Sequence, residues 1–285
     1  MSAWRVVITT RILPVALGFH AAVREAGHEP VALLTIRDTD GRYGGFDIGG
    51  MLDELPAGLD ILMPARRASI APLLASVQPD LVVCMGFPWK VPPDALAVPR
   101  LGWLNGHPSL LPRHRGPVPV AWAIRNGEEE FGVTFHRMDA ELDTGPILVQ
   151  KALPLGEPRE PDELYSAMGP VVIEVLGQAL ANLAAGVEAT VQEGGDYQGF
   201  FGDEDAVLDF SRPAEEVHRL VWAWRYTIAS GDLHGALAEL DGETVRVLAS
   251  SLTEVDGAQR VECGDAPLWL VKTEPVQPPP AAAPS

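Results

Sequence analysis

Asn105, His107 and Asp143 have the types and spacing to act on an acyl group. Asn105 and His107 stand in Leu101-Gly-Trp-Leu-Asn-Gly-His-Pro-Ser-Leu-Leu-Pro-Arg-His-Arg-Gly116, where a strand signal runs into Asn105 and Gly106 and Pro108 bracket His107. Asp143 follows the next strand signal, in Met138-Asp-Ala-Glu-Leu-Asp-Thr-Gly-Pro-Ile147. An Asn amide offers N–H donors, and His is the side chain that changes charge near neutrality. An amine attacking an amide carbonyl builds charge on the carbonyl oxygen, which Asn105 and a protonated His107 would hold. The attacking nitrogen must also lose a proton. Asp143 would take it, directly or through water, and would keep His107 charged longer. Each residue alone also reads plainly as a cap, a turn residue or a satisfied polar group. Ser109 lacks the Gly-x-Ser-x-Gly elbow of a nucleophile. His107 and His114 have no third ligand at suitable spacing, so no metal is expected. His20, His28 and His136 read as packing or surface residues.

The elements that must hold these residues alternate strand and helix through the first half. Strand signals fall at Trp4 to Ile8, Pro30 to Thr35, Asp60 to Met63, Leu81 to Met85, Leu101 to Leu104, Phe131 to Arg137 and Ile147 to Leu153. Helical ones fall at Pro14 to Ala26, Ser69 to Val77, Val118 to Arg125 and Glu160 to Ala185. Apolar strands separated by helix-length segments imply an α/β unit whose parallel sheet is covered on both faces. Ligands bind at the carboxyl ends of such strands, so Asn105 and His107 should face a cleft. The Asp143 loop, following the next strand, is expected at the same edge. Residues 37–50 are rich in Gly and Asp and read as a long loop.

Residues 191–205 turn to Gly, Asp and Glu, which marks a linker after a catalytic domain of residues 1–190. Residues 212–226 then read as an amphipathic helix with Ser211 as N-cap. Short strands at His234 to Leu240, Thr244 to Ala249, Arg260 to Cys263 and Leu268 to Lys272 suggest a small barrel-like module over residues 206–274. The Pro- and Ala-rich stretch 275–285 is expected to be disordered. Cys84 and Cys263 fall far apart in predicted strands and read as core residues, not a disulfide.

The net charge is −18, with only three lysines, Lys90, Lys151 and Lys272. A polyphosphate partner draws its affinity from displaced counterions and needs a basic surface, so nucleic acid is not expected. No run reaches the ~18 continuous apolar residues of a membrane span. Residues 1–8 lack a secretory leader, and a cytoplasmic protein is the expectation. The oligomeric state stays open, a homodimer among the options.

The joint pattern Asn-Gly-His-Pro-Ser-Leu-Leu-Pro, Arg115-Gly116 and Asp143-x-Gly-Pro-Ile147 resembles the folate-dependent formyltransferases, the family of methionyl-tRNA, glycinamide-ribonucleotide and sugar-amine formyltransferases. The resemblance implies a Rossmann-like catalytic domain, an OB-like C-terminal domain and 10-formyltetrahydrofolate as co-substrate. It assigns catalysis to Asn105, His107 and Asp143. Residues 83–96 resemble the loop whose backbone cradles the pterin, with Phe87, Trp89 and Val91 at matching positions; Met85 is expected in the same pocket, although the family usually has an aromatic residue nearer that position. Asp139, Ala140, Glu141 and Leu142 would form the other wall. Residues 208–221 resemble the opening helix of the family's C-terminal domain, and residues 263–270 its last hairpin, so the likeness covers almost the whole chain.

The acceptor is expected to be a small amine. The tRNA enzymes of the family use a basic inserted loop, whereas residues 37–47 carry three Asp against Arg37 and Arg42. Arg11, Arg37, Arg42 or Arg115 would pair with a phosphate or carboxylate of an amino-sugar nucleotide, an amino acid or a natural-product intermediate. Arg115 also has the plainer reading of a loop anchor. A methionyl-tRNA formyltransferase and a formyltetrahydrofolate hydrolase are the alternatives. Hydrolases of this kind usually carry an extra N-terminal regulatory domain, for which a first strand at residue 4 leaves no room.

Overall fold

Runs such as Val6-Val7-Ile8 and Leu81-Val82-Val83 have no polar face, so a strand made of them must be covered on both sides. In the computed structural model, which describes residues 2–37, 48–157, 159–227 and 235–276, they lie in the middle of a seven-stranded sheet. The chain runs β1 (Arg5–Thr9), α1 (Leu13–Glu25), β2 (Glu29–Leu34), α2 (Ile48–Glu54), β3 (Asp60–Leu62), α3 (Ile70–Val77), β4 (Leu81–Cys84), α4 (Pro93–Leu96), β5 (Trp103–His107), α5 (Pro119–Arg125), β6 (Glu130–Arg137), β7 (Ile147–Pro154) and α6 (Pro161–Ala184). The strand order is β3-β2-β1-β4-β5-β6-β7. Strands β1 to β5 are parallel, which gives the Rossmann-like core. β6 runs antiparallel to β5, and β7 antiparallel to β6. The expected wholly parallel sheet is therefore mixed. A β6–β7 link of residues 138–146 is too short for a crossover and can only make a hairpin.

One face of the sheet gathers Val7, Ala32, Leu34, Val82, Cys84 and Trp103 against Ile70 and Leu74 of α3 and Ala95 of α4. On the other, Phe19 of α1 meets Phe135 of β6 at a ring-centroid distance of 6.0 Å. α6 is long and apolar enough to cross a membrane by length and composition. However, it buries Leu164, Met168, Val172, Val175, Leu176, Ala179 and Leu180, the three-and-four spacing of a core helix.

The chain forms two compact units that interleave in sequence. One holds Met1–Gly116, Glu130–Pro154 and Asp162–Tyr197; the other holds Pro117–Glu129, Leu155–Pro161 and Gln198–Ser285. In the second unit α7 (Asp203–Ala206), α8 (Ala214–Trp224), β8 (Ala236–Leu240), β9 (Glu243–Ser251), β10 (Gln259–Glu262) and β11 (Pro267–Pro275) follow. The antiparallel order is β10-β11-β9-β8, a curled half-barrel with no ladder joining its outer strands among the described residues. Trp122 of α5 packs edge-on against Phe201 at 4.9 Å, and Arg125 pairs with the buried Asp205 at 2.6 Å.

Several local expectations change here. Ser211 does not cap α8: its hydroxyl turns to Asp209, and the free N–H of Ala214 is taken by Asp265, 51 residues on, at 2.8 Å. Cys263 lies just past β10 and is half-buried, while Cys84 is buried; both thiols are free. Residues 48–50, read as loop, open α2. The stretch 191–205 is no loose linker, since it ends in α7 and its first residues are tied to the first unit, as shown below.

Candidate active site

Side chains alternate across a strand, so Trp103, Asn105 and His107 of β5 share one face. β5 continues past the expected Leu104 to His107, and this extension places Asn105 in register. Cys84 stands beside it on β4, and His136 stands opposite it on β6. Thr134 stands opposite His107. Cross-strand partners of this kind have Cβ atoms roughly 4.5–5.5 Å apart, close enough for their side chains to meet.

The hydrogen bonds fix the state of each group. His136 Nδ1 donates to the Arg137 carbonyl at 3.0 Å, which leaves Nε2 as an acceptor. Asn105 Nδ2 donates to it at 3.2 Å and to Asp143 Oδ1 at 3.3 Å. Burial, then the His107 imidazole, push the His136 pKa down to about 4, against the pull of Asp143. His136 is therefore neutral at pH 7. His107 is buried, and its Nε2 donates to the His114 carbonyl at 2.9 Å. Its Nδ1 then faces Asp143 Oδ1 at 3.6 Å. Burial lifts the Cys84 thiol to about 12, so it is no nucleophile. Ser109 is likewise spent, its hydroxyl donating to the Arg113 carbonyl at 2.7 Å.

Asp143 reaches this cluster by a route other than the one its strand implied. β6 runs antiparallel, so its end lies level with Leu104, away from the carboxyl end of β5. The hairpin loop doubles back, with Met138 N–H on the Trp103 carbonyl at 2.9 Å and Arg137 N–H on the Pro146 carbonyl at 2.9 Å. Two backbone features make the reversal. Asp143 takes φ of 59°, a left-handed conformation that Asp tolerates better than most residues. Gly145 passes so close to β6 that a Cβ on it would sit 1.8 Å from the Arg137 carbonyl oxygen. The carboxylate arrives 14% exposed, with Oδ2 taking the Gly116 N–H at 3.0 Å.

The two loops expected to hold the pterin meet at their tips, where Lys90 Nζ lies 3.1 Å from Glu141 Oε2. Met85 and Val91 are buried, so only their backbone can serve a ligand. Phe87 and Trp89 are half-buried against the core and meet edge-on at 6.1 Å. Asp139, Ala140, Glu141 and Leu142 are exposed, and Asp139 Oδ1 braces the loop by accepting from Glu141 N–H and the Thr144 hydroxyl.

The arginines proposed for an acceptor divide. Arg11 is half-buried just after β1, and Arg37 is exposed with Nε on Met63 Sδ at 3.3 Å. Arg42 lies outside the described residues. Arg115 is a strut: Nε and Nη2 donate to Gln192 Oε1 at 3.1 and 2.8 Å, and Nη1 to the Gly195 carbonyl at 3.2 Å.

Sequence reasoning missed two members of the cluster. His136 reads from sequence as a packing or surface residue, yet Thr134 and His136 form a polar stripe opposite Val133 and Phe135, an alternation the sequence shows. Gln192 lay in a stretch read as linker, and no local signal marks it. Tyr197, half-exposed and bridged to Arg115, lies near enough that the Asp143 carboxylate adds to burial in pushing its phenol up. Among the described residues no group of His, Cys, Asp and Glu could hold a metal ion.

Residues 63–180 match the model of the formyl transferase family. A methionyl-tRNA formyltransferase of Pseudomonas fluorescens (strain Pf0-1) is 33% identical over 274 residues, 89% of this chain and 83% of that protein. The sugar 3N-formyl transferase WlaRD, solved with dTDP and 5-N-formyl-THF, superposes at TM-score 0.67 with 16% identity, over 96% of this chain and 98% of that one. HypX from Aquifex aeolicus, solved with tetrahydrofolic acid, superposes at TM-score 0.66 with 18% identity over 97% of this chain. The chain spans about half of HypX, 45% of its length.

Proposed function

The chain belongs to the formyl transferase family, and from that footing we propose that it moves the formyl group of 10-formyltetrahydrofolate to the amine of a small anionic acceptor. Use of formyl-tetrahydrofolate is the family's chemistry. The observation that carries the assignment of residues is the convergence on Asp143, with Asn105 at 3.3 Å and His107 Nδ1 at 3.6 Å.

The residues present fit a pterin. Phe87 and Trp89 offer ring surface, and the exposed 139–142 backbone offers hydrogen bonds. The folate, when bound, supplies an electrophilic formyl carbon. Around it, Asn105 and a protonated His107 Nδ1 would hold the charge that grows on the formyl oxygen. Both Asn105 N–H groups are engaged in the free site, and the longer one, at 3.3 Å to Asp143, is the one a stronger acceptor would draw away. Asp143 would then take the proton that the attacking amine releases.

For the acceptor, charge is the guide. From Ala206 onward six Arg and Lys stand against twelve Asp and Glu. The second unit's Arg125, Arg212, Arg219, Arg225, Arg246 and Arg260 are each already paired with a carboxylate. Such a surface has few cations left for counterion exchange with a polyphosphate. This favours a nucleotide-linked amino sugar, an amino acid or a natural-product intermediate, with Arg11, Arg37 or Arg42 meeting its anionic group. The likeness to methionyl-tRNA formyltransferases supports a second reading, initiator methionyl-tRNA as acceptor.

A panel tests both. The enzyme is incubated with 10-formyltetrahydrofolate and, separately, a dTDP-amino sugar, a mixture of amino acids and initiator methionyl-tRNA, while tetrahydrofolate release is followed. Formylation of a small amine and not of the tRNA is expected. Formylation of the tRNA alone overturns the acceptor assignment, and release of formate without any amine points to hydrolysis.

A further inference from the structure

We propose that Gln192 and Arg115 are positioning residues for Asp143, closing a ring of hydrogen bonds that sets where its carboxylate stands. The inference rests on the reading of Asp143 as the proton acceptor.

The ring can be followed bond by bond. Gln192 Nε2 donates to the Asp143 carbonyl at 2.9 Å and to the Gly145 carbonyl at 2.7 Å, so one amide clamps the turn from both sides of Thr144. Gln192 Oε1 accepts from Arg115 at 3.1 and 2.8 Å. The residue after Arg115, Gly116, donates its N–H to Asp143 Oδ2 at 3.0 Å. Asp143 is thus held by its carbonyl through Gln192 and by its side chain through Gly116, and Arg115 joins the two holds.

The amide's orientation is determined by its partners. Turned over, the oxygen would face two carbonyl oxygens and the NH₂ would face a guanidinium. Asp139 braces the first half of the loop, through Glu141 N–H and the Thr144 hydroxyl, and leaves the carbonyls of Asp143 and Gly145 to Gln192.

The 190–195 segment is built to deliver the amide there. Thr190 pairs with Ile147 in both directions, at 2.7 and 2.8 Å, which lays the segment along the start of β7. Gly195, at φ 83°, folds beneath Pro112, where a Cβ would lie 2.4 Å from the Pro112 carbonyl oxygen. Its own carbonyl there takes Arg115 Nη1 at 3.2 Å. Arg115 is forked between two acceptors, a geometry that a lysine cannot reproduce.

The test uses Gln192→Glu and Gln192→Leu, with turnover read as tetrahydrofolate release with the best amine of the panel above. Gln192→Glu keeps an oxygen for Arg115 but presents another to the two carbonyls, so it cuts the clamp selectively; it also serves if Gln192→Leu fails to fold. Both variants should lose at least tenfold in kcat while binding 5-formyltetrahydrofolate as the parent does. The double variant Gln192→Leu/Asp143→Ala should be no slower than Asp143→Ala alone, because a residue that acts through Asp143 has nothing to position once it is gone. If Asp143→Ala is inactive while the Gln192 variants keep kcat within twofold, or if the double variant adds a further tenfold loss, the positioning role is wrong and the reading of Asp143 stands. If Asp143→Ala itself turns over normally, that reading falls first.

Discussion

Asn105 Nδ2 donates to His136 Nε2 at 3.2 Å across the β5–β6 ladder, so a neutral histidine holds the amide that faces Asp143. The bond exists only while Nε2 is unprotonated, since Nδ1 already donates to the Arg137 carbonyl. Replacing His136 with Ala leaves the amide without that acceptor. Losing one such contact is worth about 1–2 kcal/mol, or roughly five- to thirtyfold in rate. We expect His136→Ala to lose that much in kcat with folate affinity unchanged by titration. Unaltered kcat would remove His136 from the account.

Stability should follow the same proton. His136 and His218 each have a pKa near 4 when folded, against 6.5 as the ordinary value. A pKa lowered by folding means the unfolded chain binds more protons between the two values. The stability they contribute is therefore complete above pH 6.5 and is lost as pH falls toward 4, by up to about 1.4 kcal/mol per pH unit for each group. Urea unfolding at pH 7, 6 and 5 checks this. The His218→Gln variant should show a shallower fall than the parent, and identical slopes would contradict the assignment.

The tight passage at Gly145 makes its own prediction. Gly145→Ala forces a Cβ toward the Arg137 carbonyl oxygen, and the loop must shift. The cost in stability should be about 1–3 kcal/mol. Turnover should fall at least tenfold even at temperatures where the variant is fully folded, because Asp143 moves with the loop. Denaturant titration and steady-state kinetics together separate the two effects, and full turnover in a destabilised variant would mean the loop position is not limiting.

The pterin loops can be probed optically. Trp89 is half-buried and meets Phe87 edge-on, so 5-formyltetrahydrofolate bound against this loop should quench it. With seven tryptophans the comparison must be between proteins, and Trp89→Phe should lose part of the parent's quench. The same quench in both would place the folate elsewhere.

The core of the first unit was legible because its strands are unbroken apolar runs, Val6 to Ile8 and Leu81 to Val83, that permit one burial only. The cluster was legible in part, because Asn105 and His107 share a strand end with Gly106 between them. What stayed hidden depends on distance in sequence. The direction of β6 decides that His136 faces Asn105, and direction is set by pairing, not by composition. Gln192 looks like any residue of a Gly-rich stretch, and its partners stand 49 and 77 residues away at Asp143 and Arg115. The cap of α8 teaches the same point, since the local choice of Ser211 lost to Asp265 from a distant turn.

The most direct test of the account is the single-turnover rate of formyl transfer in Asn105→Ala, His107→Ala and Asp143→Ala, with enzyme in excess over 10-formyltetrahydrofolate and the panel's best amine saturating. Loss of an oxyanion donor costs roughly 10²–10³ in rate. Each variant is predicted to lose at least that factor while binding 5-formyltetrahydrofolate as tightly as the parent. Turnover within a few-fold of the parent in the His107→Ala or Asp143→Ala variant would contradict the account.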